Sequence, residues 1–257
     1  MKIKSNAKIN LNLKITGTKD GYHMLDSVFV PISIYDSIEI NESDKDEIIG
    51  MDINLSDNII FKAINLVRNK YNIDKKYQVK INKKIPMQAG LGGGSSNGAM
   101  VLKALNEMNG LGLSQDDLAM LGLELGSDVP FFIYNKPANV YGRGEIIKPI
   151  EDLKKIYGVV VFDNLHFNTK EVYDTYDKIK YASYELENDL EIAARTLPKG
   201  NKIIDIENDL INCKAYRASL TGSGGAVFGL FIDEESAKTI EKKLKNKYHF
   251  VKYFESL

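Results

Sequence analysis

The first 40 residues read as extended chain. Lys2–Ile15 and Ser27–Ile40 are both strand-like, and Tyr77, Val79 and Ile81 alternate with Gln78, Lys80 and Asn82 at the period of a half-buried strand. Asp20-Gly21, between the first two runs, is a hairpin-turn signal. The polar stretch Asn41–Asp52 reads as a loop or turn between strands. Helical spacing then takes over. Asn58–Asn69 carries Ile60, Ala63, Ile64 and Val67 on one face. Val101, Ala104, Leu105 and Met108 form a second helical face, and Asn109-Gly110 stops it. Ser114-Gln115-Asp116-Asp117 is a capping-box variant that opens a third helix, ended by Gly126.

Farther along, Val129–Tyr134, Asn139–Tyr141, Tyr157–Phe162, Ala226–Ile232 and Val251–Phe254 read as strands. Thr169–Ile179, Asn188–Thr196 and Glu234–Asn246 read as helices, the last with Ala237, Ile240 and Leu244 inward. Strands and helices come in blocks, not in strict βαβ alternation, which predicts an α+β fold. Two lobes with a cleft between them are expected, residues 1–150 and 151–257, with the boundary near Pro149–Lys155. The tetrapeptide Glu-Asn-Asp-Leu occurs at 187–190 and at 207–210, too short a match to be read as a repeat.

The 257 residues allow an ample core. A net charge of −1 leaves no basic footprint for nucleic acid. The single cysteine, Cys213, excludes an intrachain disulfide and a Cys-based zinc site. His23, His166 and His249 are scattered. No apolar run approaches the ~18 residues of a membrane span, and Met1 leads straight into a Lys-Ile-Lys segment. The expectation is a cytoplasmic, soluble protein.

Chemistry concentrates in Pro86-Met87-Gln88-Ala89-Gly90-Leu91-Gly92-Gly93-Gly94-Ser95-Ser96-Asn97, which lies between a strand and a helix. Glycines let backbone N–H groups approach a ligand closely, and a helix starting at the serines would aim its positive end at an anion. Phosphate is the natural occupant. The loop lacks the Gly-Lys-Ser/Thr of a P-loop, and Ser95 stands where a dinucleotide motif beginning at Gly90 needs glycine. Four further segments stand out. Lys8, Asn10 and Asn12 would share one face of the first strand, which fits either solvent exposure or a polar site. Asp20-Gly21-Tyr22-His23 fits either a structural turn or a platform on which a base stacks. Asp128 enters an apolar strand, where it either caps a turn or has a chemical task. Thr221-Gly222-Ser223-Gly224-Gly225 is a second glycine turn, either a tight loop or a wall for phosphate or substrate.

In combination and order, these segments resemble the GHMP kinases, the superfamily of galactokinase, homoserine kinase, mevalonate kinase and phosphomevalonate kinase. The central loop Pro86–Ser96 and the turn Thr221–Gly225 match two of the superfamily motifs. Ala7–Leu11, Asp20–His23, Gly90–Asn97, Gly126–Phe132, Gly142-Arg143-Gly144-Glu145 and Gly222-Ser223-Gly224 are similar, in that order, to one branch of it. That branch phosphorylates a cytidine-diphosphate-linked methylerythritol in the non-mevalonate route to isoprenoids.

The resemblance implies a two-lobed fold, with an N-terminal nucleotide-binding lobe, a C-terminal α/β sandwich lobe and the active site in the cleft. It implies ATP and Mg²⁺, with Lys8 and Asp128 as the catalytic pair. It places ATP on the glycine loop with Asn58 and Lys83, and Mg²⁺ near Ser95 or Ser96. Tyr22 and Tyr173 would sandwich the cytosine, His23 would read its polar edge, and Asn10 would hold the methylerythritol end. Thr169, Gly222 and Ser223 would complete the substrate side. The expected partners are small molecules, with no nucleic acid and no membrane, and the chain is expected to act as a monomer or weak homodimer.

Overall fold

A computed structural model describes residues 1–179 and 186–257. It opens with a long antiparallel hairpin, β1 (Lys2–Lys19) and β2 (Tyr22–Ser43). Asp20 and Gly21 turn it with φ of 51° and 78°, the two left-handed positions of a type I′ turn. The rest of the first half contains β3 (Glu47–Ile49), α1 (Ile59–Tyr71), β4 (Lys76–Asn82), α2 (Gly93–Met108), α3 (Gln115–Leu123), α4 (Val129–Tyr134), β5 (Ala138–Gly142) and β6 (Ile146–Pro149). Leu25 and Ser37 of β2 each pair with β1 on one side and with β5 or β4 on the other. The hairpin is therefore the spine of a six-stranded sheet, with β3 and β6 at the ends of its other arm.

The chain crosses to a second sheet over residues 150–156. That half holds β7 (Tyr157–Phe162), α5 (Thr169–Ile179), α6 (Leu190–Thr196), α7 (Asn201–Asn212), β8 (Arg217–Leu220), β9 (Ala226–Phe231), α8 (Glu234–Leu244) and β10 (Phe250–Glu255). Its strands run in the order β10-β7-β9-β8, all antiparallel.

Three apolar clusters join these layers. Ile38, Val79, Phe29 and Val140 of the first sheet meet Ile60, Val67, Leu102, Phe131 and Phe132 of the helices. Val159, Val161 and Val227 of the second sheet meet Ile203, Ile206, Leu210 and Leu244. Between the sheets, Ile9, Val30 and Ile32 pack on Val160, Phe228 and Phe254. The order is helices, sheet, sheet, helices, and the two halves share a core. Burying each of these phenylalanines contributes about 1.5–3 kcal/mol.

The structure departs from the sequence reading in several places. Val129–Tyr134 is helix α4, not a strand. A six-residue apolar run has no period to tell helix from strand, and Pro130 in the first turn presets helical φ. Asp128 thus precedes a helix. The expected loop Asn41–Asp52 contains β3, which pairs in parallel with β4. The loop helix starts at Gly93, two residues before Ser95. α3 has its full capping box at Ser114 and Asp117 but ends at Leu123, short of Gly126. β6 and α7 were not anticipated, although Ile203, Ile206 and Leu210 have helical spacing.

The most consequential departure is a bulge at Leu11. Asn10 pairs with Phe29 but Asn12 with Val28, so the two asparagines point to opposite faces. Lys8, Asn10 and Leu13 share the face of Phe29. The expected Lys8–Asn10–Asn12 face is therefore broken after Asn10, and the Asn12 side chain instead accepts from the Val28 N–H at 2.6 Å.

Candidate active site

The two glycine turns dovetail. Gly90 and Gly92 have φ of 81° and 68°, the region that glycine enters without penalty. A Cβ on Gly90 would lie 2.0 Å from the Thr221 carbonyl oxygen, and one on Gly224 would lie 2.0 Å from the Gly90 nitrogen. The Ala226 N–H donates to the Ala89 carbonyl at 3.1 Å, and the Lys8 N–H to the Leu91 carbonyl at 3.0 Å. These bonds fix the loop to β1 and to the second sheet. Gly94 is different: nothing lies within 4 Å of where its Cβ would be. Packing does not demand glycine there. α2 starts with Gly92 as N-cap and no side-chain cap, so its first N–H groups face the loop's open side.

Two cavities meet at this loop. One, of 370 Å³, lies between Met51, Ile53 and Ile59 on the apolar side and Lys83 with the loop on the other. The second, of 770 Å³, runs from Lys8, Asn10 and Asp128 out to Tyr22, His23 and Tyr173. Gly90, Gly92 and Ser95 line both. The loop is thus a shared wall, and a group bound on it is presented to the second cavity.

At the inner end of that cavity, Lys8 is 3 % exposed, so its face is interior. Its ammonium donates to Asn10 Oδ1 at 2.5 Å, lies 3.7 Å from Asp128 Oδ2 and sits 4.5 Å from the centre of the Phe29 ring. Burial pulls its pKa below the usual lysine value, and the Asp128 carboxylate opposes that pull. Asp128 makes no cap bond to α4 and its side chain is 32 % exposed toward the cavity. Asn10 holds the lysine and is itself held by Ser27 and Thr221. Its Nδ2 donates to Ser27 Oγ at 3.1 Å, its backbone N–H donates to Thr221 Oγ1 at 3.0 Å, and the Thr221 hydroxyl donates back to Asn10 Oδ1 at 3.2 Å.

The outer end is aromatic. The His23 and Tyr173 ring centres are 4.8 Å apart, and His23 Nε2 is bonded to Asp177 Oδ1 at 2.8 Å. Burial, with a smaller push from the Asp128 charge, raises the Tyr173 pKa and keeps its hydroxyl protonated. Tyr22 is 53 % exposed, and its ring is covered by the Arg143 guanidinium at 4.5 Å. Tyr22 and Tyr173 therefore line one cavity without touching each other. Thr169 Oγ1 and Ser223 Oγ, 3.0 Å apart, close the side formed by the second glycine turn.

Arg143 was not singled out from sequence. It occupies the variable place of Gly142-Arg143-Gly144-Glu145, where its own N–H donates to Glu145 Oε2 at 2.5 Å. The turn places Arg143 in the wall of the larger cavity. Asp36 was also missed, although a carboxylate inside an apolar strand was its signal. It is fully buried and accepts from Lys83 Nζ at 2.5 Å, from the Lys84 and Ile85 N–H groups, and from Asn97 Nδ2. Asn97 Nδ2 and Ser96 Oγ each also bond Ser5 Oγ at 2.8 Å. Of the two serines, Ser96 is thus locked in the core and Ser95 faces the cavities. Lys83 lines the smaller cavity, but Asn58 does not; it caps α1, accepting from the Ile60 N–H at 2.9 Å. Its neighbours Asp57 and Ile59 reach that cavity instead.

The family of the chain follows from comparison as well as from this geometry. The N-terminal domain of GHMP kinases matches residues 58–136, and the GHMP kinase C-terminal domain matches residues 183–249. The chain is a GHMP kinase. It is 38 % identical to the 4-diphosphocytidyl-2-C-methyl-D-erythritol kinase of Clostridioides difficile (strain 630), over 96 % of this chain and 92 % of that protein. It is 36 % identical to the enzyme of the same name from Clostridium tetani, over 98 % of both. A crystal structure of 4-(cytidine 5'-diphospho)-2C-methyl-D-erythritol kinase superposes with a TM-score of 0.87 at 26 % identity, covering 100 % of this chain and 99 % of that one. The mevalonate kinase of Methanococcus jannaschii has the same fold, with a TM-score of 0.70 at 20 % identity and coverage of 100 % and 98 %. Within the GHMP kinases, the chain belongs to the 4-diphosphocytidyl-2-C-methyl-D-erythritol kinase family.

Proposed function

We propose that this protein transfers the γ-phosphoryl group of ATP to the 2-hydroxyl of 4-diphosphocytidyl-2-C-methyl-D-erythritol, a step of the non-mevalonate route to isoprenoid precursors. The observation that carries the reading is the Lys8–Asp128 pair, 3.7 Å apart, in a cavity whose wall is the glycine loop. An alkyl hydroxyl is a poor nucleophile, so Asp128 accepts its proton as the bond to phosphorus forms. Lys8 faces that carboxylate and offsets charge on the transferring group. Little covalent work remains for the protein, and positioning supplies most of the rate.

ATP occupies the smaller cavity, its triphosphate on the loop and its γ-phosphoryl at the shared wall. Lys83 neutralises part of the charge. Ser95 would help hold a Mg²⁺ ion beside the triphosphate, and the ion would supply charge neutralisation there. The donors fit that role: Ser95 faces both cavities, and among the described residues no group of three His, Cys, Asp or Glu side chains forms a cage. Mg²⁺ bound mostly by phosphate and water needs no cage. Tyr22 and Tyr173 take the cytosine between them once Arg143 leaves the Tyr22 face, and Arg143 then reaches the diphosphate. His23, oriented by Asp177, reads the edge of the base. Asn10 orients the methylerythritol beside Lys8.

An ADP-release assay with three acceptors tests the reading. Turnover is expected with the cytidylyl methylerythritol and at least about a hundredfold less with mevalonate or homoserine, which lack the cytidine diphosphate whose binding positions the hydroxyl. Equal rates with all three would reject it.

A further inference from the structure

The tetrapeptide Glu-Asn-Asp-Leu occurs twice, and its two copies have different fates. In the second copy, on α7, Asn208 is exposed. In the first, Asn188 is 1 % exposed and makes three hydrogen bonds. Its Nδ2 donates to the carbonyl oxygens of Leu220 at 3.1 Å and Gly222 at 2.8 Å, and its Oδ1 accepts from the Leu190 N–H at 3.0 Å. The residues around it hold the same ground. The Leu13 N–H donates to the Glu187 carbonyl and the Asp189 N–H to the Leu13 carbonyl, at 2.8 and 2.9 Å. Asp189 accepts from Lys14 Nζ and the Ile15 N–H. Glu191 accepts from the Leu220 N–H at 2.9 Å. The segment therefore splices Leu13–Ile15 of β1 to the start of the second glycine turn.

We propose that Asn188 is a positioning residue for phosphoryl transfer, acting through the turn it grips. The two carbonyls it binds flank Thr221. Fixing both sets where the Thr221 hydroxyl points, and that hydroxyl meets Asn10 Oδ1, the same oxygen that accepts from the Lys8 ammonium. The chain of contacts runs from Asn188 to Thr221, Asn10, Lys8 and Asp128. The same grip holds Gly222, at φ 61°, and Ser223 against the larger cavity. An amide is the side chain this place requires: two carbonyl oxygens need two N–H donors, and the Leu190 N–H needs an acceptor, all on one small group. A carboxylate of the same shape would set lone pairs against both carbonyls.

The inference rests on the reaction proposed above, and its test separates the two. Binding of CDP and of ADP is measured by calorimetry, and kcat and KM by ADP release, for wild type, Asn188→Asp, Asn188→Ser and Asn208→Ala. If wild type fails to bind CDP, the proposed reaction fails. Given a CDP-binding wild type, Asn188→Asp is expected to lower kcat/KM for the cytidylyl substrate at least about tenfold, the effect of losing two buried bonds. Its ADP affinity should stay within about threefold of wild type, because its contacts lie on the substrate side. Asn188→Ser should fall between, and Asn208→Ala should match wild type. Losses of CDP and ADP affinity in equal measure, an unchanged kcat/KM, or failure of both Asn188 variants to fold would assign Asn188 to stability alone and overturn the proposal.

Discussion

Gly94 and Gly90 offer a way to separate the glycine loop's part in folding from its part in binding. At Gly94 a methyl group meets nothing within 4 Å, and the position lies in the first turn of α2. Alanine there is favoured by about 0.5 kcal/mol through helix propensity, which raises Tm by about 1–2 °C for a chain of this size. The same methyl stands between the amide end of α2 and anything bound on the loop. Losing one close N–H bond to a charged phosphate oxygen costs about 1.5–3 kcal/mol, which predicts a KM for ATP raised at least about tenfold. Gly90→Ala should do the reverse in kind. Its methyl would lie 2.0 Å from the Thr221 carbonyl oxygen at a φ of 81°. The left-handed backbone alone costs about 1–2 kcal/mol, and parting the two turns adds to it, so Tm should fall by at least about 3 °C. Differential scanning calorimetry and ADP-release kinetics on both variants give the four numbers. A Gly94→Ala enzyme with a raised Tm and an unchanged KM for ATP would refute the placement of the triphosphate at the start of α2.

Other predictions follow from single groups. Tyr22→Ala should leave stability within about 0.5 kcal/mol of wild type, because the ring is half exposed. It should raise KM for the cytidylyl substrate by about 5- to 150-fold, the value of one base–aromatic stack, without moving KM for ATP. Activity that depends on the Lys8 ammonium should fall on the alkaline side at a pH below its ordinary value of 10.5, because burial lowers its pKa. Lys8→Met removes that limb. A pH–rate profile of the two enzymes reads the difference. Glu207 lies against Glu191 and Arg195, and burial first, then the Glu191 charge, pushes its pKa up to about 8, with Arg195 pulling the other way. Between its unfolded value of 4.5 and about 8, the folded chain holds a proton that the unfolded chain releases. Stability from this group is therefore present below 4.5 and is lost as pH rises through about 8. Tm of wild type should decline across that window, and Glu207→Gln should flatten the decline; parallel curves would remove Glu207 as its cause.

Much of this arrangement could be read from residue order, and what could not has physical causes. The Asp20-Gly21 turn, the Ser114–Asp117 capping box and the strand β4 are local, and local chemistry writes them plainly. The helix at Val129–Tyr134 was misread because it is buried all round and too short to show a period. Lys8 and Asp128 stand out by residue type, and family likeness pairs them as catalytic. That they meet depends on where the N-terminus of the short helix α4 holds Asp128, which leaves no period in the sequence. Arg143 and Asp36 escaped because their partners, Tyr22 for one and Lys83 with Asn97 for the other, are distant along the chain. The two copies of Glu-Asn-Asp-Leu make the same point: identical letters fold once into a splice that buries the asparagine and once into a helix that exposes it.

The central claim, that Asp128 receives the proton of the acceptor hydroxyl beside Lys8, is tested most directly by Asp128→Asn in single-turnover ADP release with saturating cytidylyl substrate. The carboxamide keeps the shape and cannot take the proton. The account predicts a rate lower by at least about two orders of magnitude, with CDP and ADP affinities within about threefold of wild type. A variant that turns over at the wild-type rate would contradict it.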